Sequence, residues 1–480
     1  MKISKAEALA GLQKMFGDAV ITEKAAIEDY DGANDTFPKA YGLFTAPQPI
    51  CIVNAKSTED VSKALKYCND NGIVVIPRTG MSSYEGLLTG LTDEMIVLDG
   101  SAMNKVLETD FSNMMVTCQC GVPLDTLEKS LKEKGYTTGH SPQSLPLAQI
   151  GGLVATRSIG QFSTYYGAIE DLICGLEAVM PDGRILRIRN VPRRSAGPDL
   201  RHLFMGSEGG LAFITEVTLK LFHYYPDSFY KAGFIVPSME EGFECIRKIV
   251  TAGYRPSVVR LYDKADYEYN YGTGVNLGDN EAYMFFVAEG PASIAKATGE
   301  AIDQFAKEAK ARPLGSAGVE HWLIHRNDLC NLFKNPQVDE FLRNTPIFYA
   351  TTEISSSYTD IMPIYRGVME NVPKKVPNLV MLGGHASHAY QNGINVYFVY
   401  QFKGSDPKIF PAEYQAIIDA ICEEVLKLPT GGCVHHHGMG KQRVKFAPQE
   451  HGSSYFLMDK IKEMMDPNRI MNPGVLVAGK

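Results

Sequence analysis

No stretch of this chain approaches the roughly 20 consecutive apolar residues that a helix needs to cross a bilayer. The charged amphipathic start, MKISKAEALAGLQKMF, is not built like a signal peptide either, so a chain without a transmembrane segment is expected. A basic excess is also missing. The 47 Lys and Arg against 55 Asp and Glu leave a net charge of −8, which gives nucleic acid or anionic lipid no field to follow. The nine cysteines lack the spacing of a disulfide framework, and reduced thiols in a cytoplasmic setting are expected. Cys118 and Cys120, two apart in the strand-like run MMVTCQCGV, share a face as ordinary strand residues do. Repeats and low-complexity tracts are absent.

What remains is a globular chain of 480 residues, long enough for two or three cores. Residues 1–44 read as a helix and a polar arm whose aspartates and glycines favour turns. From residue 45 the pattern becomes regular: PICIVNA is strand-like, STEDVSKALKYCNDNG is a helix capped by Ser57, and IVVIPRTG is a second buried strand. This first domain runs to 225 and closes with the alternating strand FITEVTLKL. Residues 226–425 pair strands with amphipathic helices twice over, as in KAGFIVPSMEEGFECIRKIVTAG, which suggests a sheet with helices on one side. Residues 426–480 are expected to return to the first domain.

Three consecutive histidines, His435, His436 and His437, stand inside GGCVHHHGMGKQR. Imidazoles in a row suit neither a helix nor a core, because each ring carries nitrogens that need partners when buried and titrate near neutral pH when exposed. Gly431, Gly432, Gly438 and Gly440 bracket them and let the backbone take positive φ close to a ligand. An active-site loop fits this composition, with the histidines as candidate bases. GGHASHAYQNG and HHHGMG resemble the stretches where FAD-linked 2-hydroxyacid dehydrogenases have a divalent metal site, which makes His385 and His388, spaced H-x-x-H, with His436 the alternative, a metal site; no metal is the primary expectation.

Two further stretches have the build of ligand loops. Pro77, Arg78, Thr79, Gly80, Met81, Ser82 and Ser83 follow a buried strand, where α/β sheets bind ligands, and their small residues let backbone N–H groups face a phosphate. The segment from Ser141 to Gly183 joins a glycine pair, Gly151 and Gly152, to the cluster Thr156, Arg157 and Ser158, with Arg157 as a fixed positive fork.

The order of that loop, GGLVATRS, YGAIEDL, PDG and GPDLRHLFMGSEGGLAFITE resembles the vanillyl-alcohol-oxidase-like flavoproteins. Within them the chain is most similar to alkyldihydroxyacetonephosphate synthase, through RPSVVRLYD, AYQNGINVYFVY, the HHHG run with GKQR, and DPNRIMNPG. The resemblance spans roughly 45 to 475 and implies an α+β fold: a two-part PCMH-type FAD-binding domain and an α+β cap with a mixed or antiparallel sheet. It implies FAD contacts at 77–83, at Gln143, Ser144, Leu145 and Gln149, at Gly151, Gly152, Thr156, Arg157 and Ser158, and at Glu208, Gly209, Gly210 and Ile214. Ser82 stands where covalent relatives place a flavin-linking histidine, so non-covalent FAD is expected. Thr79 and Met81 replace two glycines of the family loop, and Gln143 replaces an Asp.

By the same resemblance Tyr390 is the acid/base and the histidines line the site, while Arg260 lies close to the flavin and to substrate. Arg343 or Arg326 takes the place of the substrate-phosphate arginine. The first functional reading is an FAD-dependent oxidoreductase that oxidises an alcohol or hydroxy acid, with a small-molecule substrate, an unnamed electron acceptor and a homodimeric state. The second is a transferase using flavin without net redox change, like the synthase. The third is a flavin module that only docks to an electron-transfer partner, against which several bases at one ring argue.

Overall fold

The first helix, Lys5–Phe16, starts at a reciprocal cap: Ser4 Oγ accepts the N–H of Glu7, and the Glu7 carboxylate accepts that of Ser4. The computed structural model describes residues 1–31, 46–272, 274–332, 347–404 and 409–478, so most of the expected polar arm lies outside it. Ser57 caps the helix Thr58–Asn71 through Asp60 N, and Gly72 ends it in the left-handed conformation, φ 66°.

That helix joins two strands of a four-stranded sheet. Ile52–Asn54 and Val74–Arg78 both pair in parallel with Met95–Asp99, and Val20–Ile21 forms the far edge. Parallel strands covered on both faces read as continuous apolar runs, which is why IVVI shows no alternation. The C-terminal segment extends this sheet: Val75 N–H donates to Ile470 O and Asn472 N–H to Val75 O. A second sheet is antiparallel and five-stranded, with Phe213–Lys220 at its centre between Met115–Gln119 and Ile173–Val179.

The third sheet has seven strands, in the order Arg312–Gly315, Phe229–Val236, Ala282–Glu289, Val258–Tyr262, Leu379–Ala386, Gly393–Lys403 and Ile347–Ser357, all antiparallel. The helices Met239–Thr251, Ala292–Glu308, Ile361–Lys375 and Phe410–Val425 pack on one face. Alternation sorts the side chains. Val259 and Leu261 join Phe243, Ile246, Val396 and Phe398 in the helix-facing core, each worth roughly 1.5–3 kcal/mol when buried. Arg260 and Tyr262 therefore point to the other face.

On that other face the register lines up one transverse row: Glu353 opposite Tyr397, Tyr397 opposite His385, and His385 opposite Tyr262. Their rings touch, with His385 stacked on both Tyr397 (4.8 Å) and Tyr262 (4.9 Å).

Candidate active site

This row forms one wall of a cavity of about 980 Å³ whose other wall is built from the loops of the first two sheets. Residues 77–83, Gln143, Ser144, Gln149, Gly151, Gly152, Thr156, Ser158, Glu208, Gly209 and Ile214 all line it, as do Arg260, His385, His388, His436 and His437. The flavin-loop segments that are scattered in sequence thus meet in one place.

The loop after Val74–Arg78 keeps a tight path without its family glycines. Met81 itself takes φ 52°, at a backbone cost of about 1–2 kcal/mol for a residue with a Cβ. Gly80 is indispensable: a Cβ there would sit 2.6 Å from Leu147 O and 2.8 Å from Gln149 N. The groups an anionic cofactor needs are present and unspent. Thr79 Oγ1 and Ser83 Oγ, hydroxyls that can donate to a phosphate, are buried and lack a hydrogen-bond partner among the described residues, as does Gln149 Oε1, an acceptor for a ring N–H. The cavity therefore fits a dinucleotide with a pyrophosphate.

Several expected contacts fall elsewhere. Arg157 does not line the cavity: its side chain is 55% exposed, its Nε donates to Glu170 at 3.0 Å, and its backbone takes φ 52°. Leu145 is packed against the apolar cluster of the five-stranded sheet. Gly210 lies under the C-terminal segment, where a Cβ would meet Val475 and Leu476. Tyr390 and His435 do not line the cavity; they stand behind His436, on the far side of the loop. Arg343 lies outside the described residues.

Three consecutive histidines point in different directions because one carboxylate organises their backbone. Glu353 Oε1 accepts the N–H groups of His435, His436 and His437 at 3.2, 3.0 and 2.8 Å. His437 Nδ1 lies 2.9 Å from Glu353 Oε2, and its ring stacks on Tyr84 with centroids 4.8 Å apart. Gly438 and Gly440 then turn the chain with positive φ, and Met439 N and Gly440 N donate to Glu208. Arg443 closes the arrangement, paired with both Glu353 and Glu85 and fully buried.

Two carboxylates share that one guanidinium. Burial opposes ionisation of both, but Arg443 and His437 carry Glu353 well below the usual range, whereas burial wins at Glu85 and pushes it up. Glu353 is the ionised partner. Burial also pushes Glu208 up to about 7, against the two backbone N–H groups it accepts. His435 is lowered to about 4 by burial, and burial lowers His385, His388 and His436 as well, so these rings are neutral at pH 7.

Ring nitrogens of the alternative metal set already have hydrogen-bond partners. His385 is taken by Asp266, 2.6 Å from its Nδ1. His388, His435 and His436 do place ring nitrogens within 4.8 Å of one another. Yet Nδ1 of His388 meets Ser163 Oγ, and both nitrogens of His435 and of His436 are engaged with each other or with a tyrosine. A bound ion would have to break these bonds.

The cationic end of the cavity is built by residues the sequence reading left partly unassigned. Arg260 is 5% exposed, its Nε has no partner among the described residues, and its guanidinium lies over Trp322 at 5.0 Å. Arg326 stands beside it, over both Phe162 and Trp322, and its hydrogen bonds go to the neutral oxygens of Ser141 and Gln161. Burial and the Arg260 charge push Arg326 down to about 10.

Two family models match the chain: an FAD binding domain over residues 49–189 and the C-terminal domain of FAD linked oxidases over residues 228–476. The uncharacterized FAD-linked oxidoreductase YgcU of Escherichia coli (strain K12) is 44% identical over 487 positions, covering 99% of each chain. The chain belongs to the FAD-linked oxidoreductases. More distant members of the group are also similar. Alkyldihydroxyacetonephosphate synthase of Dictyostelium discoideum is 27% identical over 89% of this chain and 73% of its own, and a solved synthase of that name superposes with a TM-score of 0.72 over 89% of this chain and 76% of its own, at 24% identity. A mitochondrial D-lactate dehydrogenase [cytochrome] of Saccharomyces cerevisiae is 27% identical over 96% of this chain and 78% of its own. FAD is the cofactor of this oxidoreductase, and the unspent polar groups of the cavity fit such a group.

Tyr262, Tyr397, Trp322, Glu353 and Arg443 were given no role in the sequence reading. For Tyr262 a signal existed, since it lies two residues from Arg260 on one strand and must share its face. For Glu353 the signal was a charge inside the strand run ATTEISSS.

Proposed function

We propose that this FAD-linked oxidoreductase oxidises a small 2-hydroxy acid, with the substrate carboxylate held between Arg260 and Arg326. One observation carries the reading: two neighbouring guanidiniums at the cavity, with no carboxylate paired to either among the described residues, call for an anionic ligand. A planar carboxylate accepts from two such forks and leaves the adjacent carbinol carbon fixed in place. The similarity to D-lactate dehydrogenase supports this substrate class. FAD supplies the two-electron acceptor when bound. The chain's own residues orient the acid and take the hydroxyl proton on a wall of His and Tyr side chains, where Tyr397, His436 and His437 face the cavity.

A second reading, a synthase-like transferase, is favoured by the similarity to alkyldihydroxyacetonephosphate synthase, and the same arginine pair would hold a phosphate. Anaerobic mixing separates the two. Bleaching of the flavin by a 2-hydroxy acid, persistent until an electron acceptor is added, is the expected result. Product exchange from acyl-dihydroxyacetone phosphate and a fatty alcohol, with no lasting bleaching by any hydroxy acid, would replace the first reading with the second.

A further inference from the structure

We infer that Tyr397, His436, His435 and Tyr390 form a proton relay that carries the substrate's hydroxyl proton out of the cavity to the far side of the histidine loop. The links are continuous. Tyr397 OH meets His436 Nε2 in a short hydrogen bond, His436 Nδ1 meets His435 Nδ1 at 2.7 Å, and His435 Nε2 meets Tyr390 OH at 2.7 Å. One end, Tyr397, lines the cavity; the other, Tyr390, does not. At that outer end the charged groups that act on the Tyr390 hydroxyl are Glu170, Asp171 and Arg157, and one oxygen of Glu170 lacks a hydrogen-bond partner among the described residues.

Donor counting allows the chain to conduct. A neutral imidazole has one N–H and one bare nitrogen, and a phenol both donates and accepts, so all four members can be polarised one way and then the other. Burial keeps both histidines neutral, which holds each ring in that one-donor state. Pairing Nδ1 with Nδ1 requires one of these nitrogens to carry a proton and the other to be bare, and this sets the tautomers of both rings together.

This role rests on the proposed oxidation. There, the substrate C–H bond breaks with its electron pair passing to the flavin, and the O–H bond breaks with its proton passing to the Tyr397 oxygen. Tyr397 gives its own proton to His436 Nε2, His436 gives its Nδ1 proton to His435 Nδ1, and His435 gives its Nε2 proton to the Tyr390 oxygen. The Tyr390 proton leaves to solvent or to Glu170. No charge stays behind in the buried chain, which matters because an ion stranded there would lose its hydration without a countercharge. Tyr390, which does not line the cavity, is thereby a relay terminus rather than the group beside the substrate.

The test is Tyr390→Phe in the FAD-loaded protein. Flavin reduction by a 2-hydroxy acid should slow by about tenfold or more, with the substrate concentration for half-saturation unchanged and FAD retained. Nitrogen NMR of histidine-labelled protein, assigned with His435→Gln and His436→Gln, should show the His436 ring resonances moving in Tyr390→Phe although the two residues do not touch. Parent-like reduction together with unmoved His436 resonances overturns the relay. Loss of FAD or a raised half-saturation marks a packing role and also overturns it, as does a stoichiometric metal ion in the purified protein that His388→Asn removes. If no hydroxy acid reduces the parent flavin, the proposed oxidation falls, and the relay stands or falls on the resonances alone.

Discussion

Glu353 Oε2 lies 2.8 Å from Nη2 of Arg443, and neither side chain has any solvent exposure. The same guanidinium reaches Glu85 Oε1 at 2.7 Å and the backbone carbonyls of Glu353 and Cys433. One buried cation therefore ties the end strand of the large sheet to the histidine loop and to the loop that continues from the flavin-facing residues 77–83.

Replacing Arg443 by Met should be severe. It leaves the buried, ionised Glu353 without its guanidinium and Glu85 without its hydrogen-bond donor, and breaking such a pair from one side costs about 3–5 kcal/mol. Urea unfolding at pH 8 is the measurement. A stability within about 1 kcal/mol of the parent would show that the pair does not organise the loop.

His140 sets an acid limit. It is 1% exposed, neither ring nitrogen has a partner among the described residues, and burial lowers it to about 3 from an ordinary 6.5. Between those values the unfolded imidazole binds a proton that the folded one refuses. Stability from this group is thus complete above pH 6.5 and is lost as the pH falls towards 3, by about 1.4 kcal/mol per unit. His140→Leu should gain about 2 kcal/mol over the parent at pH 5 relative to their difference at pH 8. Parallel stability curves for the two proteins would refute this.

FAD should leave the polypeptide intact on acid precipitation, because Ser82 stands in the cavity where a linking histidine would be needed. Arg157→Ala should retain FAD as the parent does, since the side chain faces Glu170 and solvent. Flavin that stays with the denatured chain contradicts the first statement, and a flavin-depleted Arg157→Ala contradicts the second.

Arg260→Gln keeps much of the shape and removes the charge. Hydrogen bonds to a charged group are worth about 1.5–3 kcal/mol, so half-saturation by a hydroxy acid should rise at least about tenfold while FAD stays bound. An unchanged half-saturation would move the substrate carboxylate elsewhere.

The local patterns were legible because they depend on neighbours in sequence. Ser57 as a cap, the unbroken apolar run before Pro77, and the alternation that sets Arg260 beside Tyr262 follow from helix and strand periods alone. The flavin-loop segments were legible too, as stretches whose small residues permit close backbone approach. The placement of Arg157 was not legible: its left-handed backbone and its pairing with Glu170 are features that composition does not report.

Which histidine faces the cavity was decided only in three dimensions. Sequence determined that His435, His436 and His437 are adjacent, that glycines bracket them, and that rings so placed need partners. Their directions were fixed by Glu353, more than 80 positions earlier, whose carboxylate gathers three successive N–H groups, and by Arg443, which holds that carboxylate ionised where burial alone would neutralise it. The pairing of Tyr397 with His436 and of Tyr390 with His435 follows from the same fold, because strand register and a buried ion pair are long-range relations that residue spacing along the chain does not encode.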